Sequence, residues 1–364
     1  MGLTVTRIAM QDWRSFEHRS FDLSGGLTVL CGPNATGKTN TVEALQLLTA
    51  GSSFRHPRTT DLVRQGAQAG RVQARLEGDG RVVDVRCDVG DGKRRFVRND
   101  KPCRPSDLSS TLMSVLFCPD DLSFVKQGAK YRRDELDDFG AQASSGYRKV
   151  ARNYAHAVEQ RNRLLKEEVP DPGLLEAWNL SVALGGATLL HARLSMFARL
   201  RRHLRTIYAR VGGGEELECA YVSTLGTGVE DLERDELRDL FLDRLDEVRD
   251  EELRRGVTLV GPQRDDVTFT IAGRDARAFG SQGQQRSVVL AWKMAEVAIA
   301  REVLGEQPLL LLDDVMSELD ATRRAAMTRF VQGGIQTVVT TTNLDYFPPE
   351  LLQSAEVVRF GDGV

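Results

Sequence analysis

The chain has 364 residues, of which 41% are hydrophobic and 28% charged, and a formal net charge of -3. That balance suits a globular protein of about two domains and offers no globally basic surface, so a nucleic-acid partner has to be met by a local patch. No uninterrupted apolar run reaches the ~18 residues of a membrane helix, MGLTVTRIAMQDWRSF does not read as a signal peptide, and five scattered cysteines without a CxxC pair read as reduced thiols of a cytoplasmic protein rather than a disulfide frame or zinc site.

Taken in order, Leu3–Ile8 and Leu27–Leu30 read as short strands broken by Gly25-Gly26. A glycine-rich loop runs from Cys31 to Lys38, and Thr39 to Thr49 has the apolar spacing of a helix. Residues 70–103 alternate around GDG and GDGK turns, predicting a small antiparallel sheet, and Leu112–Phe117 predicts a buried strand. From Tyr131 to Arg255 the texture is helical: Leu190, Leu194, Phe197, Leu204 and Tyr208 share one face, and Leu237, Phe241, Leu245 and Val248 another. Strand texture returns at Val257–Val260 and Val267–Thr270. A helix follows from Ser281 to Ala300, then apolar strands at Leu309–Leu312 and Gln336–Thr340. Strands alternating with helices point to an α/β chain with a largely parallel core sheet and an inserted helical lobe. The expected division is 1–125 with 256–364 for the split α/β lobe and 126–255 for the helical one.

The segment Gly32-Pro33-Asn34-Ala35-Thr36-Gly37-Lys38-Thr39 fits GxxxxGK[ST] at every fixed position. Glycines let backbone N–H groups converge on a phosphate, Lys38 reaches the β- and γ-phosphates, and the Thr39 hydroxyl takes a place on Mg²⁺. ATP and Mg²⁺ are therefore the expected cofactors. The apolar run Leu309–Leu312 ends in Asp313-Asp314: Asp313 is placed to hold Mg²⁺, together with Thr39, and Asp314 to orient the attacking water. About 275 residues separate Lys38 from Asp313, so a large insertion divides one nucleotide site, unlike compact P-loop kinases and small GTPases.

Ser281-Gln282-Gly283-Gln284-Gln285-Arg286 opens a helix upstream of the acidic strand and resembles the LSGGQ signature of ABC-type ATPases. There, the Ser and the helix N-terminus bind the γ-phosphate of nucleotide on a second subunit. Ser317-Glu318-Leu319-Asp320 resembles the D-loop of the same class, with Ser317 and Asp320 as its polar members, and Gln127 resembles the Q-loop glutamine of SMC heads. Further stretches fall in matching order: Trp13–Phe16, Thr39–Ala44, Gly51–Arg55, Phe117–Leu122 with Arg132-Arg133, Gln160–Asn162 and Gly261–Asp266. Together they resemble the RecF family of SMC-like bacterial recombination mediators over nearly the whole chain.

The resemblance implies an ABC-type head with a helical second lobe and slow, DNA-stimulated ATP hydrolysis. It also implies an ATP-dependent homodimer that clamps duplex DNA near single-strand gaps, and RecR and RecO as partners in loading RecA during repair, replication and the SOS response. Two departures stand out. Asp314 occupies the place of the Glu of transporter-type ABC ATPases, and Thr341, Thr342 and Asn343 stand where a switch His is usual. The alternatives kept open are an ABC transporter ATPase subunit and an SMC-like tethering ATPase. For DNA, the acid-free segment from His191 to Arg210 supplies the best local patch, with Arg199, Arg202 and Arg205 the named candidates. The competing reading is a solvated face balanced by the acidic stretch Glu230–Glu252.

Overall fold

The first strand shows how the pattern builds the core. In β1 (Thr4–Trp13) Val5, Ile8, Met10 and Trp13 point inward, a bulge between Val5 and Arg7 resetting the alternation. The computed structural model describes residues 2–361. It divides into two units, one formed by the chain up to Leu122 together with Arg286 onward, the other by Ser123–Gln285.

The first unit continues with β2 (Phe16–Asp22), β3 (Leu27–Cys31), α1 (Lys38–Ala50), β4 (Ala69–Gly78), β5 (Arg81–Gly90), β6 (Lys93–Arg98), β7 (Lys101–Cys103) and β8 (Ser114–Phe117). The second holds α2 (Ala129–Ala143), α3 (Ser145–Leu164), α4 (Pro172–Val211), β9 (Leu217–Val222), α5 (Arg234–Glu247), α6 (Arg249–Arg255), β10 (Asp266–Ile271) and β11 (Arg274–Asp275). The chain then enters α7 (Gln282–Leu304), within which the division falls, and ends in the first unit with β12 (Leu309–Asp313), α8 (Ala321–Val331), β13 (Thr337–Thr341), α9 (Pro349–Gln353) and β14 (Glu356–Arg359).

Two sheets form the first unit. One is antiparallel in the order β2-β1-β4-β5-β6-β7; the other has the order β14-β3-β13-β12-β8, and its pairs are parallel. The antiparallel sheet is larger than residues 70–103 alone predict, because β1 and β2 join it. Helix α1 lies between the sheets, touching β4 and β5 of one and β8, β12 and β13 of the other. This position explains its composition: Val42, Ala44, Leu45, Leu47 and Leu48 are all buried. Strand β12 is covered on both faces, which is why Leu309–Leu312 carries no polar alternation.

In the second unit α3, α4 and α5 pack around Tyr154, Val182, Ala187, Leu190, Leu237 and Phe241. Two expectations fail here. Val257–Val260 is not a strand: the Thr258 N–H is taken by the Asn162 side chain and the Leu259 N–H by Glu252, so these donors are unavailable to a ladder. The boundary at 255/256 is also displaced, to 285/286. Residues 256–285 belong with the helices because β10 pairs with β9 along its length and Asp266 accepts a two-point bond from Arg132 (2.7 and 2.9 Å). Strand β9 itself was hidden inside a helical texture.

Among the described residues one helix, α4, holds a window apolar enough to cross a membrane by composition, although no uninterrupted apolar run does; 56% of that window is buried in the protein, where Val182, Ala183, Ala187, Leu189 and Leu190 form the centre of the helical unit. All five cysteines are free, and burial pushes the Cys87 thiol up to about 12 and those of Cys118 and Cys219 upward too, so these three are inert as nucleophiles.

Candidate nucleotide site

The C-terminal ends of β3, β12 and β13 lie side by side, the place where open parallel sheets bind ligands. The loop leaving β3 is Gly32–Gly37, and the Gly32 N–H bonds the Thr341 carbonyl at 3.2 Å, fixing the loop to β13. Two glycines are obligatory. A Cβ on Gly32 would lie 2.1 Å from the Phe360 carbonyl, and one on Gly37, at φ 97, would lie 2.3 Å from the Phe16 ring. Gly37 then caps α1, whose first-turn N–H groups have no intrahelical acceptor and face an anion readily.

Lys38 is buried, and its ammonium donates to the carbonyls of Gly32 and Pro33, both at 2.6 Å. Burial lowers its pKa, against the opposing pull of Asp314, Cys31 and Asp313. Across the insertion, the Thr39 hydroxyl donates to Asp313 Oδ1 at 2.9 Å, and the Thr340 hydroxyl donates to the same oxygen at 2.8 Å. Thr340 in turn accepts the Asp314 N–H at 2.8 Å. Burial raises the pKa of Asp313, opposed by the hydrogen bonds from Thr340 and Thr39 and by the charge of Arg55. Burial also raises that of Asp314, opposed by Lys38. Asp314 sits at φ 53, a left-handed conformation that Asp tolerates better than a longer or branched residue.

The residues present suit ATP with Mg²⁺. Among the described residues no group of three or more His, Cys, Asp or Glu side chains is placed to hold a metal ion. Mg²⁺ needs none: it keeps several waters and takes one or two protein oxygens plus phosphates. Thr39 Oγ1 and Asp313 are the two oxygens placed for that role.

Sequence reasoning passed over what holds the site. Glu43, fully buried on α1, accepts both Arg14 Nε (2.8 Å) and Arg14 Nη2 (2.6 Å), and also the Ser53 hydroxyl (2.6 Å). Asn40 accepts from Arg55 at 2.9 Å and donates to Ser15 at 2.9 Å, while the Trp13 indole donates to the Asn40 carbonyl at 3.0 Å. The stretches Trp13–Phe16 and Ser53–Arg55 thus brace the first turns of α1. A lone Glu in an apolar helix was the available signal, because a buried carboxylate needs a partner.

The remaining sequence candidates lie elsewhere. Ser317 donates to the Asp314 carbonyl at 2.8 Å, and Asp320 caps α8 by accepting the Arg323 N–H at 2.9 Å. Ser281 is exposed and closes a reciprocal cap: its N–H donates to Gln284 Oε1 at 2.8 Å and its hydroxyl accepts the Gln284 N–H at 3.2 Å. Gln284 also donates to Glu215, and Gln282 is exposed while Gly283 is half-buried. Gln127 is exposed and its carbonyl accepts from Arg132 at 2.7 Å. Ser281–Gln284 and Gln127 belong to the second unit, the P-loop and Asp313 to the first.

On α4, Arg199, Arg202 and Arg205 are exposed and make no ion pair among the described residues. Arg193, in the same segment, is not part of that face: it is buried, with Asp137 at 2.9 Å and the Pro262 carbonyl at 2.8 Å. Acids of α5 and α6 pair with arginines of their own segment, as in Arg238–Asp235 and Arg255–Glu251, while Glu233, just before α5, lies 3.8 Å from His191 of α4.

A P-loop and an acidic strand joined across a helical insertion, with a capped signature turn after it, define an ABC-type nucleotide-binding head of the SMC class. The Smc head domain of Pyrococcus furiosus has the same fold (TM-score 0.56, 16% identity, covering 98% of this chain and 93% of that one). Residues 4–349 match the RecF/RecN/SMC N terminal domain family. The DNA replication and repair protein RecF of Heliobacterium modesticaldum is 36% identical over 368 residues, 99% of this chain and 98% of the relative. A solved structure of the recombination mediator RecF with ATPrS superimposes with a TM-score of 0.88 at 28% identity, over 95% of this chain and 94% of that one. The chain belongs to the RecF family.

Proposed function

We propose that the chain is an ATP-dependent DNA-binding mediator of replication and repair. The observation that supports it is the contact between Thr39 and Asp313 beside Lys38, which joins segments 274 positions apart. The relatives named above support the same reading: one is a DNA replication and repair protein, and the other was solved with a nucleotide analogue.

In this reading Lys38 leaves the Gly32 and Pro33 carbonyls to pair with the β- and γ-phosphates, and the N–H groups of Gly32–Thr39 surround them. Thr39 and Asp313 are the residues that would hold Mg²⁺, which would supply charge neutralisation at the phosphates. Asp314 orients the attacking water; a shorter acid than Glu fits slow, DNA-stimulated turnover. Ser281, Gln282, Gly283 and Gln284, with the D-loop residues Ser317 and Asp320, face the nucleotide of a second copy, and Gln127 senses it. ATP thereby drives a homodimer that clamps duplex DNA near single-strand gaps, using Arg199, Arg202 and Arg205 on phosphates without reading bases. Hydrolysis opens the clamp. By family, RecO and RecR are its partners in loading RecA in the cytoplasm during repair and the SOS response.

Sedimentation with ATP and with ADP tests this. The wild-type chain pairs with ATP only, and Ser281→Arg binds ATP but stays single. Pairing of Ser281→Arg at wild-type ATP concentrations would contradict the composite site.

A further inference from the structure

Beyond the nucleotide-binding groups, the first unit contains a second set of contacts at the base of the signature helix. Arg286 lies two residues after Gln284 on α7. Its guanidinium donates to the Glu318 carbonyl, and Nη2 also reaches Glu318 Oε2 at 3.3 Å. Glu318 stands in the turn that follows Asp314: its N–H bonds the Val315 carbonyl at 3.0 Å, and Ser317 donates to the Asp314 carbonyl at 2.8 Å. A neighbouring contact runs in parallel. Arg323 donates to the buried Ser287 hydroxyl at 2.9 Å and pairs with Asp320. Arg286, Ser287, Glu318, Asp320 and Arg323 all belong to the first unit.

The pair is too wet to be there for folding. The Arg286 and Glu318 side chains are 33% and 47% exposed, and ion pairs of that exposure add little stability. What it does have is direction. A guanidinium fork bonded to both the carbonyl and the carboxylate of one residue fixes an angle as well as a distance. One end of that fork is a helix whose first turn is the signature; the other is the turn that follows Asp313 and Asp314. Glu318 also bears electrostatically on Asp314.

We propose that Arg286 and Glu318 form a positioning pair that transmits the state of the Asp313–Asp314 site to the signature turn Ser281–Gln284 of the same chain. A chain then offers a pairing-competent signature to a second copy only when its own site is engaged. The inference rests on the proposed ATP-driven homodimer and adds to it a requirement within each chain. Arg286 and Glu318 touch neither phosphate nor metal in this scheme and act through the elements they join.

The experiment is a double-mutant cycle on the full chain, with two readouts. A fluorescent ATP analogue at low protein concentration reports nucleotide affinity of the unpaired chain; sedimentation equilibrium with ATP and Mg²⁺ reports pairing. Arg286→Ala keeps nucleotide affinity and weakens pairing roughly tenfold, within the range of ordinary coupling energies. The turnover number falls with it while KM for ATP does not. Glu318→Ala, which keeps the carbonyl contact, costs less. The double variant is no worse than Arg286→Ala, and Arg286→Lys restores part of the loss. If Arg286→Ala misfolds by circular dichroism, Glu318→Gln carries the test with a smaller loss in the same direction. Wild-type pairing by these variants, or losses that simply multiply in the double variant, overturns the inference alone. Absence of ATP-driven pairing in the wild-type chain overturns the proposed function and this inference with it.

Discussion

The core of the helical unit and the nucleotide site both bury charge, and these two places treat it in opposite ways. In the helical unit Arg161 and Glu252 are both fully buried and saturated: Arg161 reaches Glu252 at 2.6 Å, Asn179 at 2.7 Å and Thr258 at 2.9 Å, while Glu252 also accepts the Leu259 N–H at 2.7 Å. At the nucleotide site Lys38 rests on two carbonyls and Asp313 on two hydroxyls; neither has an opposite charge bonded to it. A saturated pair holds a fold. Groups held by neutral dipoles keep their charge in reserve for a charged ligand.

The sharpest way to break this contrast is to cut one partner from the saturated pair. Glu252→Ala strands the Arg161 charge and costs about 3–5 kcal/mol, which calorimetry reads as a Tm loss of roughly 6–20 °C. Arg161→Met with Glu252→Leu recovers much of it, because apolar replacement of both partners is often neutral. At the nucleotide site the reverse holds. Lys38→Met lowers ATP hydrolysis roughly 100-fold or more, with Tm shifted by no more than about 2 °C, and no second substitution restores the activity.

Asp313→Asn sharpens the comparison further. Burial holds the Asp313 pKa above its ordinary 3.8, so the ionised form costs stability at pH values above the raised value, and that cost vanishes below the ordinary one. The variant therefore loses Mg²⁺-dependent hydrolysis, yet its Tm at pH 7 in the absence of nucleotide rises by a few degrees, a gain that fades as the pH falls toward 4. An unchanged or lower Tm at pH 7 means that the carboxylate is structurally paired after all. The smallest effect on the fold belongs to Arg199→Ala/Arg202→Ala/Arg205→Ala. Its Tm is unchanged, while duplex binding weakens and the slope of log affinity against log salt drops by roughly one per arginine.

How much of this was legible depended on the range of the interactions. The P-loop and the acidic strand were readable because phosphate chemistry dictates residue types at fixed local spacing, and the parallel sheet because Leu309–Leu312 and Thr337–Val339 are covered on both faces. What the sequence concealed depends on distant partners. Glu43 is explained by Arg14, 29 positions away, together with Ser53 and Arg55, and Arg193 left the basic face because Asp137 and Pro262 claim it. Val257–Val260 reads as a strand until Asn162 and Glu252 take its N–H groups. The 256–285 segment moved to the helical unit through pairing with β9, a strand whose own residues, Leu217–Val222, carried too weak an alternation to stand out.

The most direct test of the central claim is fluorescence anisotropy of a labelled DNA duplex at one fixed salt concentration, with ATP and with ADP, for the wild-type chain and Ser281→Arg. The account predicts tighter binding with ATP than with ADP in the wild-type chain and loss of that difference in Ser281→Arg. Equal binding in the two nucleotide states, or no binding in either, would contradict a nucleotide-gated DNA clamp.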